Sequence, residues 1–303
     1  MNRHWLMSGL LVVLTQGLLW SSSASSQTDQ FAGVVVTPTE VAPNVFMMTG
    51  AGGNIGVSAG PDGILIIDDQ FAPLAGRIAS ALEALADASF DPAVRYVINT
   101  HYHVDHTGSN AFFAERGATI IAHDKVRVRL LGNDSATRAS LPVVTHSNGL
   151  SIYLNDEELT LIALAGHTDG DSAVWFKKAN ILHTGDLLFN GLFPYIDLEG
   201  GGSVDDYLAS QAELLEWVDE DTQLIPGHGP LATVDDLRAM HTMIRLSAQS
   251  VRDAVAAGEP LEAIIARGVD AVYKPLAWSF ISESRWLEIL YTDAIQNSRP
   301  ITR

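Results

Sequence analysis

Cysteine is absent from the 303-residue chain. Disulfide scaffolds, thiolate metal sites and cysteine nucleophiles are therefore excluded, and any metal must be held by nitrogen and oxygen. Basic side chains are scarce, 18 against 36 acidic ones, giving a formal net charge of −18. Phosphate binding depends on lysine and arginine displacing counterions, so nucleic acid is excluded as a partner. A long apolar run is also missing near the N-terminus, where the stretch from Leu6 to Trp20 falls short of the ~20 residues a bilayer-spanning helix needs. With Arg3 before it and Ser21-Ser22-Ser23-Ala24-Ser25-Ser26 after it, residues 1–26 read as a cleaved secretory signal. The mature chain is then expected in the periplasm or outside the cell, with no stable membrane insertion.

What the chain does contain is apolar residues, 47% of the total, enough for a well-buried core. Short apolar runs alternate with turn residues between Val34 and Ile67, as in an antiparallel meander. Helical spacing follows from Leu74 to Ala88, then a buried strand at Val94 to Ile98. Strands at Ala118–Ala122, Leu159–Leu164, Ala173–Phe176, Asn180–His183 and Gln223–Ile225 accompany helices at Asp124–Leu131 and Val204–Val218. Two sheets with helices outside would bury these runs, an α/β (α+β) chain. From Val234 onward the pattern is helical, broken at Gly258-Glu259-Pro260 and Pro275. The expected divisions are a signal at 1–26, a main domain at 27–233 and a helical extension at 234–303 packed on it.

Directly after the strand at Val94–Ile98 stands His101-Tyr102-His103-Val104-Asp105-His106. Residues i and i+2 of an extended segment point the same way, so His101 and His103 can face one ion. Three histidines and an aspartate in six residues supply the ligands that zinc takes. More ligands must come from elsewhere. Ala165-Gly166-His167, Thr184-Gly185-Asp186 and Pro226-Gly227-His228 each place a candidate ligand beside glycine at the end of an apolar strand, where the backbone can turn sharply.

This set resembles the metallo-β-lactamase superfamily, whose motifs are H-x-H-x-D-H, a histidine, an aspartate or cysteine, and a last histidine. The resemblance runs from about Val41 to Leu231 and implies a four-layer αβ/βα sandwich, with the C-terminal helices added to it. It also implies two Zn2+ ions, iron or manganese being alternatives. His101, His103 and His167 would hold the first ion, and Asp105, His106 and His228 the second, with Asp186 bridging. Asp68, after Ile64-Leu65-Ile66-Ile67, matches the family's first motif and would support the metal loop; His183 is a further supporting candidate. The implied enzyme is a metal-dependent hydrolase whose bridging hydroxide opens a carbonyl compound, with Asp105 orienting the nucleophile and passing on a proton. The expected partner is thus a small-molecule substrate.

The substrate is less defined. Aspartate rather than cysteine at 186 and histidine at 106 resemble hydroxyacyl-thioester hydrolases and lactonases. The lysine that one β-lactamase group places after its metal cysteine has no counterpart in Leu187 to Tyr195, and Phe189 stands where lactonases have tyrosine. β-Lactams are the first class to test, among lactones, esters and thioesters. The alternatives are a hydroxyacyl-thioester or lactone hydrolase without β-lactamase activity, and an iron-dependent redox enzyme of the same superfamily. Phe189, Phe193 and Tyr195 are the candidate pocket residues, their apolar character suiting a ring or acyl group beside a carbonyl.

Other features read as structural. His123 is expected to cap the following helix, and His146 and His241 to be surface or packing residues. Gly200-Gly201-Gly202 lacks the lysine pattern of a phosphate cradle. Trp217, Trp278 and Trp286 are expected to pack rather than to form a substrate platform.

Overall fold

The computed structural model describes residues 30–85, 91–133 and 136–298; the expected signal segment lies outside them. The first half forms β1 (Thr37–Ala42), β2 (Val45–Thr49), β3 (Ile55–Gly60), β4 (Gly63–Ile67), α1 (Ala75–Glu83) and β5 (Val94–Asn99). It continues through α2 (Val104–Thr107), α3 (Asn110–Ala114), β6 (Thr119–His123), α4 (Asp124–Leu131) and β7 (Val144–His146). The second half forms β8 (Gly149–Leu154), β9 (Glu157–Leu164), β10 (Asp171–Phe176), β11 (Ile181–Phe189), α5 (Val204–Trp217), β12 (Gln223–His228) and β13 (Ala232–Thr233). Helices α6 (Val234–Ala256), α7 (Leu261–Arg267) and α8 (Glu283–Ser298) follow.

Seven strands pair in the order β1 to β7 and six in the order β13-β12-β11-β10-β9-β8. Strand alternation sorts the apolar residues into three layers. In β4, Ile64 and Ile66 face α1 and α3 with Ile78, Leu82 and Phe113. Leu65 and Ile67 face the second sheet, meeting Leu161, Val174, Phe176 and Ile225. Leu182 and Leu224 point the other way, to Leu214 of α5, Leu237, Met243 and Ile244 of α6, and Trp286 of α8. Strands covered on both faces read as continuous apolar runs, which is why β4 stands out in the sequence. The result is the expected αβ/βα sandwich of two sheets with helices on both outsides. Among the described residues no helix is long and apolar enough to cross a membrane.

Two departures bear on the site. Strands β7 and β8 are not evident in the sequence, because polar solvent-facing residues such as Thr145 and Ser151 interrupt the apolar pattern. Strand β11 runs on past His183 to Phe189, and its parallel pairing with β12 shifts register between His183 and Gly185 and again before Phe189. Gly185 takes a left-handed φ of 53° at this irregularity. Such bulges bend a strand and re-aim its side chains.

Candidate metal centre

The candidate ligands gather where β4, β5, β9, β11 and β12 end. Asp68 follows β4, His101 and His103 follow β5, and Asp105 and His106 lie in α2. His167 follows β9, Asp186 lies on the irregular part of β11, and His228 ends β12. One ligand atom from each of His101, His103, His167 and Asp186 falls within 4.8 Å of the others, and the same holds for Asp105, His106 and His228. Asp186 stands between the groups: Oδ2 is 3.3 Å from His167 Nε2 and 3.5 Å from His228 Nε2, and Oδ1 is 3.2 Å from His106 Nε2.

Hydrogen bonds fix which nitrogens carry protons. Thr100 donates its hydroxyl to Asp68 Oδ2, so its oxygen accepts from His101 Nδ1 at 3.0 Å. His167 Nδ1 donates to the Tyr195 carbonyl at 2.8 Å, and His103 Nε2 to Asp197 Oδ2 at 3.0 Å. The remaining lone pairs, on His101 Nε2, His103 Nδ1 and His167 Nε2, converge, with His103 Nδ1 3.0 Å from the first and 2.9 Å from the third. Three lone pairs at this separation repel one another unless a cation lies among them. His106 Nδ1 donates to Asp68 Oδ2 at 2.7 Å. Its Nε2 and Asp186 Oδ1, both buried, make no hydrogen bond despite facing each other. Buried polar atoms without partners are uncommon, and a metal would satisfy both. The donor set fits a divalent ion pair.

The electrostatics agree. Burial, above all, pushes the imidazoles of His101 and His167 down, the latter to about 4; both are held as neutral donors. Burial pushes the Asp186 carboxyl up, but His106, His228, His167 and His101 outweigh it and hold it well below the usual range. At His228 burial works downward, and the Asp186 and Asp105 carboxylates overcome it to push the imidazole up to about 9. The cluster therefore draws positive charge inward.

The supporting residues occupy distinct places. Asp68 is fully buried at a left-handed φ of 65° and accepts from Thr100 N as well as from Thr100 Oγ1 and His106. A non-glycine residue there is strained, and such strain collects at functional sites. The hydrogen bonds of His183 go to the backbone and not to a ligand. Its Nδ1 accepts from Gly185 N at 3.2 Å, so Nε2 carries the proton and donates to the Asn54 carbonyl at 3.1 Å. Asn54 in turn donates its amide to the Pro226 and Gly229 carbonyls, each at 2.9 Å, clasping the loop that carries His228. Sequence reasoning missed Asn54 and Asp197, since neither stands in a metal-ligand pattern. The turn Gly52-Gly53-Asn54 was the available signal for Asn54; Pro194-Tyr195-Ile196-Asp197 carries none.

A cavity of about 500 Å³ opens above the cluster, lined among others by Phe71, Val104, Phe189, Tyr195, Trp278 and Phe280. Two expectations change here. Phe193 does not line it: the ring is fully buried and stacks on Trp286 at 5.8 Å, because the outer core beneath the C-terminal helices takes the side chain. Trp278, expected to be packing, lines the cavity beside the candidate ligand His228, with ring centroids 5.9 Å apart. Trp286 packs in the core and Trp217 is part-exposed. His123 caps α4, its Nδ1 accepting from Lys125 N, and His146 is buried against it.

A family model of the metallo-β-lactamase superfamily matches residues 48–228, a span holding every candidate ligand. Hydroxyacylglutathione hydrolase from Polaromonas sp. is 33% identical over 139 residues, 45% of this chain and 48% of that protein. Acyl-coenzyme A thioesterase MBLAC2 from Gallus gallus is 28% identical over 160 residues, 45% of this chain and 57% of that protein. The chain thus spans about half the length of these curated relatives. Among solved structures, a metallo-β-lactamase from Pontibacter korlensis superposes with a TM-score of 0.59, covering 69% of this chain and 99% of that one at 16% identity. That likeness is one of fold.

Proposed function

Since the chain belongs to the metallo-β-lactamase superfamily, we propose that it is a zinc-dependent hydrolase that opens a thioester, ester, lactone or β-lactam. The observation that carries this reading is the convergence of unprotonated imidazole nitrogens and orphaned carboxylate oxygen beneath an open cavity. The thioester class gains weight from relatives named as a hydroxyacylglutathione hydrolase and an acyl-coenzyme A thioesterase.

His101, His103 and His167 would hold one ion, Asp105, His106 and His228 the other, and Asp186 would reach both. Such a pair supplies Lewis acidity: it polarises a carbonyl oxygen and lowers the pKa of water toward neutrality. The chain's own groups do the rest. Asp105 is the more exposed carboxylate, with 23% of its side chain accessible, and its Oδ2 lies 3.4 Å from His228 Nε2. Facing the cavity, it can take a proton from the attacking water and return one to the leaving group. Asp68 holds the tautomers of both His101, through Thr100, and His106. Among the described residues no serine or lysine nucleophile lines the cavity, in keeping with hydrolysis without a covalent enzyme intermediate.

The test is metal analysis of the purified full chain, then turnover of a chromogenic β-lactam, a lactone, an ester and a thioester by the zinc-loaded protein. Hydrolysis that His103→Ala abolishes while the fold is kept supports the proposal. Unchanged turnover in that variant, or native iron with oxygen uptake in place of hydrolysis, overturns it. Within this reading the enzyme works outside the cytoplasm after removal of residues 1–26; N-terminal sequencing of the protein from a periplasmic fraction checks that point.

A further inference from the structure

The hydrolase reading leaves the substrate open, and the wall above the metal centre narrows it. Phe189 is buried and stacks on His228, centroids 4.9 Å apart and planes 18° apart. Trp278 lies 6.3 Å from Phe189 and 5.5 Å from Phe280, and Phe280 lies 5.5 Å from Tyr195. Tyr195 closes the chain of rings at 5.9 Å from both His103 and His167. Four aromatic rings thus form a continuous surface that touches three candidate metal ligands. Val104 and Phe71 add to the lining, Val104 being 59% exposed.

The wall is fixed rather than a loose flap. The Trp278 indole donates to the Phe193 carbonyl at 3.0 Å, and Phe193 N donates to the Leu276 carbonyl at 2.8 Å. These bonds tie residues 276–278 to the chain just past β11, which carries Asp186. The segment lies beyond the 48–228 span that the family model matches, so this side of the cavity belongs to the chain's own C-terminal part.

Charge is missing from the same surface. No lysine or arginine lines the cavity among the described residues, and the acids and imidazoles that do, Asp105, Asp186, His103 and His228, are all candidate metal ligands. Arg285 lies outside the lining, its guanidinium 4.7 Å from the Phe280 ring centroid and 5.5 Å from that of Tyr195. A cation held on two rings reinforces their orientation. Desolvating a carboxylate against this wall without a partner is costly, whereas an apolar group gains by leaving water.

We propose that the site selects substrates whose group next to the scissile carbonyl is uncharged and apolar, an aryl or bulky alkyl group seated on the Phe189–Trp278–Phe280 wall. This rests on the hydrolase reading but names its substrate class. Trp278 is then a specificity-determining residue, and anionic acyl groups are rejected.

The test uses N-acetylcysteamine thioesters carrying acetyl, phenylacetyl or succinyl groups, and the matching hydroxamates as metal-directed ligands that need no turnover. The zinc-loaded full chain should favour phenylacetyl over acetyl by about 30-fold in kcat/KM and in hydroxamate affinity, within the range a well-placed apolar contact provides. Succinyl should fall below acetyl. Trp278→Ala should bring phenylacetyl to within about threefold of acetyl, and Trp278→Phe should keep most of the preference. Graded hydroxamate binding with no turnover of any thioester would uphold the apolar site and overturn thioester hydrolysis. Turnover without grading, or a preference for succinyl, would overturn the apolar site and leave the hydrolase standing.

Discussion

Asp197 stands outside the metal cluster and forms a carboxylate–imidazole pair with the candidate ligand His103. Asp197 Oδ2 accepts from His103 Nε2 at 3.0 Å and also from the Tyr102 hydroxyl, while Oδ1 accepts from Gly200 N at 2.8 Å. Burial alone would raise this carboxyl, but the bonds from His103, Tyr102 and Gly200 hold it well below the usual range, so it stays ionised. The pair directs the free Nδ1 of His103 toward His101 and His167. Removing such a partner weakens metal binding by about 10–100-fold. Asp197→Asn should therefore lose zinc affinity by that factor in a chelator competition, with Tyr102→Phe losing less. An unchanged affinity would mean that the imidazole is positioned by packing alone.

The converging lone pairs make metal content a stability variable. Zinc at about a thousand times its dissociation constant would stabilise the fold by about 4 kcal/mol. For a domain of this size that is a shift of about 10 °C in Tm. Calorimetry of loaded and chelator-stripped protein should show it, and His103→Ala should show a much smaller shift. A Tm indifferent to chelation would argue against an ion among these histidines.

Gly227 is required by close approach. A Cβ added there would lie 2.0 Å from Asp186 Oδ1 and 2.7 Å from the Gly185 carbonyl carbon. Gly227→Ala should displace Asp186 and lower metal stoichiometry and turnover by tenfold or more, while circular dichroism stays native. At Gly191, where a Cβ meets nothing within 4 Å, φ is +73°, so Gly191→Ala should cost about 1 kcal/mol of stability and leave the metal content alone. Equal metal loss in both variants would count against the steric account.

His146 makes one side of the fold acid-sensitive. Burial and the neighbouring His123 push its imidazole down to about 4, from about 6.5 in the unfolded chain. The folded protein then binds fewer protons than the unfolded chain between those values. Its contribution is present above pH 6.5 and is lost as pH falls toward 4. Thermal unfolding at pH 7 and 4.5 should show a smaller loss for His146→Gln than for the parent protein. Equal losses would place the acid sensitivity elsewhere.

The motif residues were legible because their chemistry is local. His101, His103, Asp105 and His106 fall within six residues, Asp68, His167 and His228 stand at or just past the ends of apolar strands, and Asp186 follows the apolar start of β11. Strand β4 announced itself through an apolar run buried on both faces. Strands β7 and β8 did not, since exposed positions dilute their pattern.

By itself the sequence determined the kind of chemistry: no thiolate, a histidine and aspartate ligand set, a two-sheet fold to carry it, and a charge unsuited to nucleic acid. That much follows from residue identity and short-range periodicity, which the chain carries wherever it folds. The tertiary structure decided what surrounds the ligands. It brought Asp197 to His103, set Asn54 across the His228 loop, withdrew Phe193 into the core and placed Trp278 and Phe280 over the metal centre. Those relations join residues far apart in the chain through backbone hydrogen bonds and packing. The helical pattern read from Val234 onward implied only that Trp278 would be packed; the fold set it between helices, at residues 277–282, with His228 and an open cavity among its partners.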